Sequence, residues 1–244
     1  MAATVLKDAR LLVGGYEVTS DHNTLALNLL RDPVIKPSFG IDSNVYLPGI
    51  VKAEYSLDGW FDSDGSVAID DIKFAEFDAA ISNVLTIVAP DGAVGAVAYS
   101  FESIDTDYSP FGGGIGDIAA FNVSGTSTGD VLRGVVIEAG TTARTATLTT
   151  AEYELGNIVA GEILWASLHV IDTTGSPTLD VVIQSDQTGF GSPTPHITFP
   201  QATAIGDGFL SSTTAESDTF WRAVATWGGT GSITFLIAFG IQNE

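Results

Sequence analysis

Three histidines, His22, His169 and His196, are the only imidazoles in 244 residues. A hydrolytic or proton-transfer site would be built around one of them or around a matched pair of carboxylates. None stands in a recognisable frame. No G-x-S-x-G or H-E-x-x-H spacing occurs. His22 sits in the turn-like Ser20-Asp21-His22-Asn23, His169 in the middle of a strand-like run, and His196 directly after Pro195. With 30 Asp and Glu residues, carboxylate pairs are too frequent to signal acid/base chemistry. Asp62-Ser63-Asp64-Gly65 followed by Asp70-Asp71 approaches a calcium loop. It lacks a third ligand before the glycine, and Asp71 stands where the loop needs a Glu, so an acidic turn leading into a helix cap accounts for the same residues. Gly112-Gly113-Gly114 is not followed by the lysine of a phosphate-binding loop. There is no cysteine, which removes thiolate nucleophiles, disulfides and thiolate metal sites. The expectation is a protein without catalytic, cofactor or metal sites.

Charge says more. The chain holds 30 acidic and 9 basic residues, a net charge of −21, and the excess is spread along its length rather than gathered in a tail. Such a field repels phosphate, so binding to nucleic acid by counterion release is excluded as a function, while passage of nucleic acid without sticking is favoured. Plain solubility, or adaptation to salty water, accounts for the same excess. Hydrophobic residues make up 45% of the chain, ample for a large core. The first ten residues have no signal-peptide pattern and no apolar run approaches a membrane span, so the expectation is synthesis in a cytoplasm without membrane insertion.

The elements that would position any site centre on residues 39–62. From Val51 to Phe61 the alternation is clean: Val51, Ala53, Tyr55, Leu57 and Phe61 point one way, and Lys52, Glu54, Ser56, Asp58 and Asp62 the other. That period marks a half-buried antiparallel strand, and Pro48-Gly49 before it reads as a turn. The preceding loop, 39–46, is polar with Phe39 and Tyr46 at its ends and Asp42 and Asn44 within. Upstream, Leu25, Leu27 and Leu29 alternate with Thr24, Ala26 and Asn28. Residues 30–42, with Pro33 and Pro37, read as irregular. Asp70 or Asp71 caps a helix running to about Ile81, on which Phe74, Phe77 and Ile81 share one face.

From Asn83 onward the pattern is β. Val84–Val88 and the run carrying Val97, Tyr99 and Phe101 read as strands, 107–114 as a loop, and Ile118–Ser124 with Val131–Glu138 as an antiparallel pair turned by GTSTGD. Residues 139–150, rich in Gly, Ala and Thr, read as a connector or a Thr-rich edge strand. Beyond them, runs at 163–171, 179–184, 196–199, 208–212, 220–227 and 233–241 suggest a β-sandwich with Trp165, Trp221 and Trp227 mostly in its core. Were those rings exposed together, they would suit sugar instead.

Three segments, GGYEVTSDHNTLALNL at 14–29, FGIDSNVYLPGIVKAEYSLDGWFD at 39–62 and DDIKFAEFDAA at 70–80, together resemble the opening of a major tail tube protein of long-tailed, siphovirus-like bacteriophages. The likeness covers about 12–138. It departs from the family where Pro37-Ser38-Phe39-Gly40 replaces a frequent T-T-F-G before the turn. The resemblance implies a mainly β fold, a tail-tube-type barrel or sandwich with one flanking helix over 1–138, then a connector at 139–150 and an accessory β-sandwich at 151–244 on the tube exterior. It implies a structural virion protein, in the tail, that forms hexameric rings stacked into a conduit for DNA delivery. Its partners would be further copies of itself, the tape-measure protein threaded inside, and the tail terminator and distal tail proteins, with DNA only in transit. On this reading Phe39, Asp42, Asn44 and Tyr46 form the inter-ring loop, and Lys52, Glu54, Ser56 and Asp58, with Thr24 and Asn28 from the neighbouring strand, face the bore. Two other classes stay open: another β-rich virion or surface protein, such as a capsid decoration or carbohydrate-binding module, and a hydrolase if a histidine and a carboxylate converge in a pocket.

Overall fold

A computed structural model describes residues 9–36, 45–47, 50–62, 68–79, 81–89, 91–187 and 189–243, with 45–47 described for the backbone alone. The protein is mainly β. In chain order the elements are β1 (Arg10–Val13), β2 (Tyr16–Glu17), β3 (His22–Arg31), β4 (Val34–Lys36), β5 (Val45–Leu47), β6 (Val51–Trp60), α1 (Ile69–Ala79), β7 (Asn83–Ala89), β8 (Val97–Gly112) and β9 (Ala120–Ala139). There follow β10 (Leu148–Thr149), β11 (Tyr153–Glu154), β12 (Glu162–Asp186), β13 (Thr194–Thr198), β14 (Gly206–Ser212) and β15 (Phe220–Asn243). They sort into two compact units, one made of residues 1–19, 83–101 and 132–244, the other of 20–82 and 102–131.

Several expected turns are extended backbone. GTSTGD lies inside the 20-residue β9, and the pairs of runs at 163–171 and 179–184, and at 220–227 and 233–241, fuse into the 25-residue β12 and the 24-residue β15. Residues 107–110 belong to β8. Glycine misleads here because it marks close approach as readily as a turn. At Gly125 a Cβ would collide with the Tyr55 ring and the Ile104 carbonyl, so the position requires glycine without any reversal of the chain.

In the first unit β15 is central. It pairs with β12 from Glu162↔Asn243 to Asp186↔Phe220, and with β9 at Leu236↔Ala139 and Phe239↔Val135. The two-stranded β12–β15 ribbon doubles back so that both of its limbs line one core. Leu164, Leu168 and Val170 lie there with Leu179, Val181 and Ile183, and with Trp221, Phe235 and Phe239. On β12 the inward residues change from even to odd numbers because the ladder shifts register between Val170 and Asp172. The crease is at Gly175, Gly229 and Gly231, all with positive φ.

This is a sandwich, but it is not closed at 151. Ile137 enters the same core, and the opposite face of β15, Leu236 and Ala238, packs with Leu12, Val88, Ala98 and Val136. Residues 139–150 do not separate the two. Arg144 and Ile233 exchange backbone hydrogen bonds of 2.8 and 3.0 Å, Thr150 N donates to Ala223 O, and the Arg144 guanidinium pairs with Glu138 at 2.9 Å. A Gly/Ala/Thr stretch suits an edge strap as well as a linker. The two compact units part at 19/20, 82/83, 101/102 and 131/132.

Two histidines are tied into this unit. His169, fully buried, meets the Gly14 carbonyl through Nδ1, and its Nε2 lies 2.7 Å from Thr86 Oγ1. Thr86 contacts Ser100 at 2.8 Å, and Ser100 contacts Ser167 at 3.0 Å. The carbonyl requires a proton on Nδ1, so Nε2 accepts from Thr86 and the hydroxyls point in one sequence along the chain. Burial penalises the imidazolium and holds both His169 and His196 below the ordinary value of 6.5. Neutral in the fold and protonated when unfolded, they give stability that is full above about pH 6.5 and lost as pH falls below it. In proton NMR, both rings are expected to titrate with midpoints below that of an exposed histidine. A midpoint for His169 at or above 6.5 would contradict the network.

Candidate functional site: a polar sheet face between open edges

In the second unit, β3, β6, β9 and the latter part of β8 form one antiparallel sheet. Alternation gives it two unlike faces. Ala53, Tyr55, Leu57, Phe121 and Val123 are buried on one. On the other, the register sets Thr24 opposite Asp58, Ala26 opposite Ser56, and Asn28 opposite Glu54; β9 adds Asn122 beside Asp58, Ser124 beside Ser56, and Thr126 beside Glu54. Thr24, Asn28, Lys52, Glu54, Ser56 and Asp58, singled out from sequence, thus share one face. Lys52 Nζ lies 3.0 Å from Glu54 Oε1, and that contact raises the ammonium pKa. Asn122 Nδ2 donates to Asp58 Oδ1 at 2.7 Å and to Ser56 Oγ at 3.3 Å.

Sequence reasoning missed Asn122, Ser124 and Thr126. Their alternation with Phe121 and Val123 was the available signal, and it was cut short by taking the glycines after Ser124 for a turn. Of the loop residues, Tyr46 lies on β5 with its backbone opposite Ile35. Phe39, Asp42 and Asn44 fall outside the described residues, as do Pro48-Gly49 and residues 63–67. Part of the stretch read as irregular is instead a two-stranded ribbon, β4 with β5, on which Val34 and Ile35 are exposed.

The helix is turned differently from its pattern. Ile69, Ile72 and Lys73 are its buried residues, while Phe74, Phe77 and Ile81 are 59%, 45% and 50% exposed. Beside Ile69 and Ile72 the inward side carries polar contacts: Tyr108 donates to Asp70 at 2.7 Å, and Lys73 pairs with Asp105 on β8. Apolar exposure concentrates in this unit. Of the sixteen large hydrophobic residues exposed among those described, thirteen belong to it, from Leu29 and Trp60 to Phe111 and Ile118. Among the described residues of the unit, β3 has β6 as its ladder partner and β8 has β9, so the sheet of this unit ends at β3 on one side and at the latter part of β8 on the other. Open edges beside exposed apolar surface are what a chain built to associate presents.

Among the described residues, one convergence in the other unit mimics a hydrolase. Ser185 Oγ lies 2.9 Å from His196 Nε2 and donates to Asp218 Oδ2 at 2.8 Å, and Glu216 is 3.6 Å from the same ring nitrogen. The serine proton goes to the carboxylate, so the imidazole is not placed to take it, and Ser185 is wholly buried. The tryptophans form no platform: Trp221 is wholly buried with Nε1 bonded to Gly156 O, Trp165 stacks on Phe209 at 4.9 Å, and Trp227 packs against the core. Among the described residues no cluster of three or more His, Asp or Glu could hold a metal, and no helix is long and apolar enough to cross a membrane.

No family model and no curated protein matches the chain. Among solved structures, a chain in the virion of a native gene transfer agent particle is 15% identical, over 54% of this chain and 98% of that one, with a TM-score of 0.45. A chain of an extracellular contractile injection system, in its sheath–tube complex in the extended state, is 12% identical over 55% of this chain and 93% of its own, at 0.42. The Dit protein of SPP1, described as a hub adsorption apparatus of phages infecting Gram-positive hosts, is 9% identical over 97% and 100%, at 0.37. All three fall below the identity and score at which a likeness speaks to function.

Proposed function

We propose that this chain is a structural, non-enzymatic virion protein of a phage-type tail tube. Copies join side by side through the open edges of β3 and β8 into rings, hexameric as the sequence resemblance implies. Rings stack through residues 34–46, the β4–β5 pair among them, where Phe39, Asp42, Asn44 and Tyr46 make the contact. Thr24, Asn28, Lys52, Glu54, Ser56 and Asp58 face the bore, now joined by Asn122, Ser124 and Thr126. The tape-measure protein would fill that bore before DNA passes, and the terminator and distal tail proteins would close its ends.

The observation that carries this reading is a polar-faced sheet ending at β3 and β8 in the unit that, among the described residues, holds most of the exposed large hydrophobic side chains. At a net charge of −21, copies repel at low ionic strength, and salt screens that repulsion over about 10 Å at 0.1 M. Light scattering is therefore expected to rise with protein and salt concentration, and electron microscopy of the product to show rings or tubes with the Glu54 face inward. A monomer under all such conditions, or that face on the exterior, overturns the reading. The buried Trp221 and the scattered Trp165 and Trp227 disfavour the carbohydrate-binding alternative.

A further inference from the structure

Beneath α1 lies a lysine held between two carboxylates. Lys73 is 1% exposed, with Nζ 2.8 Å from Glu76 Oε2 and 3.3 Å from Asp105 Oδ2; the side chains of Glu76 and Asp105 are 11% and 2% exposed. The Tyr55 hydroxyl donates to the other oxygen of Asp105. The three carriers, α1, β6 and β8, are regular elements, so the groups are held in place rather than brought together by a loop. As a fastening, a buried ion pair is poor value: well-packed apolar residues of the same volume are commonly as stabilising or more so. The same groups are what condensation to an amide requires: a desolvated amine, a carboxyl against it at close range, and a second carboxyl to carry protons.

We propose that Lys73 and Asp105 condense to an intramolecular isopeptide bond, with Glu76 as the proton carrier and Tyr55 as donor to the carboxyl oxygen. Proton transfer from the ammonium to the Asp105 carboxylate gives a neutral amine beside a neutral acid. Nζ attacks Cγ, the C–N bond forms, and the oxygen facing Tyr55 takes the negative charge. Glu76 then removes a proton from nitrogen and returns one to the departing hydroxyl. The C–O bond breaks, and one ammonium and one carboxylate have become one amide and one water, with no oxidant, reductant or activated donor consumed.

Burial lifts Glu76 above the ordinary carboxylate range, Lys73 opposes this, and Asp105 adds to it, a direction that favours a carboxyl able to take up a proton during the step. Burial also raises Tyr55, with Asp105 contributing, which keeps its hydroxyl a donor. In a chain without cysteine, the bond would join α1 to β8 across 32 residues and restrict the unfolded chain much as a disulfide does.

Mass spectrometry of the full chain decides it. The folded protein is expected to be lighter than its sequence by one water, about 18 Da. Lys52, Lys73 and Arg133 are consecutive cleavage sites for trypsin. After unfolding, a free Lys73 gives peptides 53–73 and 74–133, whereas the linked chain gives a single piece, 53–133. Glu76→Gln, nearly isosteric, is expected to slow condensation by about 100-fold or more and Asp105→Ala to abolish it, both yielding the full mass and cleavage at Lys73. Wild-type protein of full sequence mass, cut cleanly at Lys73 after days at 37 °C, overturns the proposal whatever the variants do. A Glu76→Gln chain that links at the wild-type rate overturns the role of Glu76.

Discussion

A chain ended at Thr150 is expected to be insoluble and to show no cooperative melt. The cut removes β15, and with it the ladder to β9 and the two residues, Leu236 and Ala238, that close the core over Leu12, Val88, Ala98 and Val136. Each large apolar side chain returned to water costs about 1.5–3 kcal/mol, and a domain has only about 5–15 kcal/mol in all. Ile137 also loses the core it enters. The complementary piece, 151–244, keeps the folded β12–β15 ribbon but exposes the face carrying Leu236 and Ala238, so it is expected to melt well below the whole chain. Solubility, sedimentation and calorimetry of the two pieces check this. A soluble 1–150 with a sharp melt would put a domain boundary back at 139–150.

Replacing Gly231 by Val is expected to destabilise the protein by about 3 kcal/mol or more, lowering the melting temperature by roughly 10 °C. Gly231 has φ of 96°, a conformation a β-branched residue avoids, and a Cβ there would collide with the Thr174 carbonyl. Its ladder partner, Gly175, is also in the left-handed half of the map, with a Cβ position 2.7 Å from Thr230 O. The two backbones therefore approach at the crease more closely than side chains allow. Gly191, exposed and with nothing near its Cβ position, is the control, and its replacement by Ala should leave the melt nearly unchanged. A Gly231→Val melt within 2 °C of wild type would show that the crease does not depend on the glycine.

The sequence made the β class, the single helix and the polar face of β6 legible because each rests on local periodicity. Lys52, Glu54, Ser56 and Asp58 alternate with residues that are buried, and no distant contact is needed to see it. What escaped were features set by tertiary approach. Gly125 and Gly175 read as turns because a missing Cβ signals freedom locally, whereas Tyr55 and the facing strand impose the glycine from afar. The helix was misjudged for a related reason. The pattern turns Phe74, Phe77 and Ile81 inward, but the buried residues of α1 are Ile69, Ile72 and Lys73, and nothing in an 11-residue helix announces that Lys73 meets Asp105 on β8.

The central position of β15 sets a timetable for the newborn chain. β1, β7, β9 and β12 all leave the ribosome before the strand that pairs with β9 and β12 and packs on Leu12 and Val88, and at about 5–20 residues per second β1 waits roughly 10–50 s for the core containing Leu236 and Ala238. During that interval the apolar faces of the earlier strands have no cover, and a message broken before codon 220 yields a polypeptide that cannot finish its first unit. Prematurely ended chains would be culled by the cell's quality control rather than built, in part, into a growing assembly.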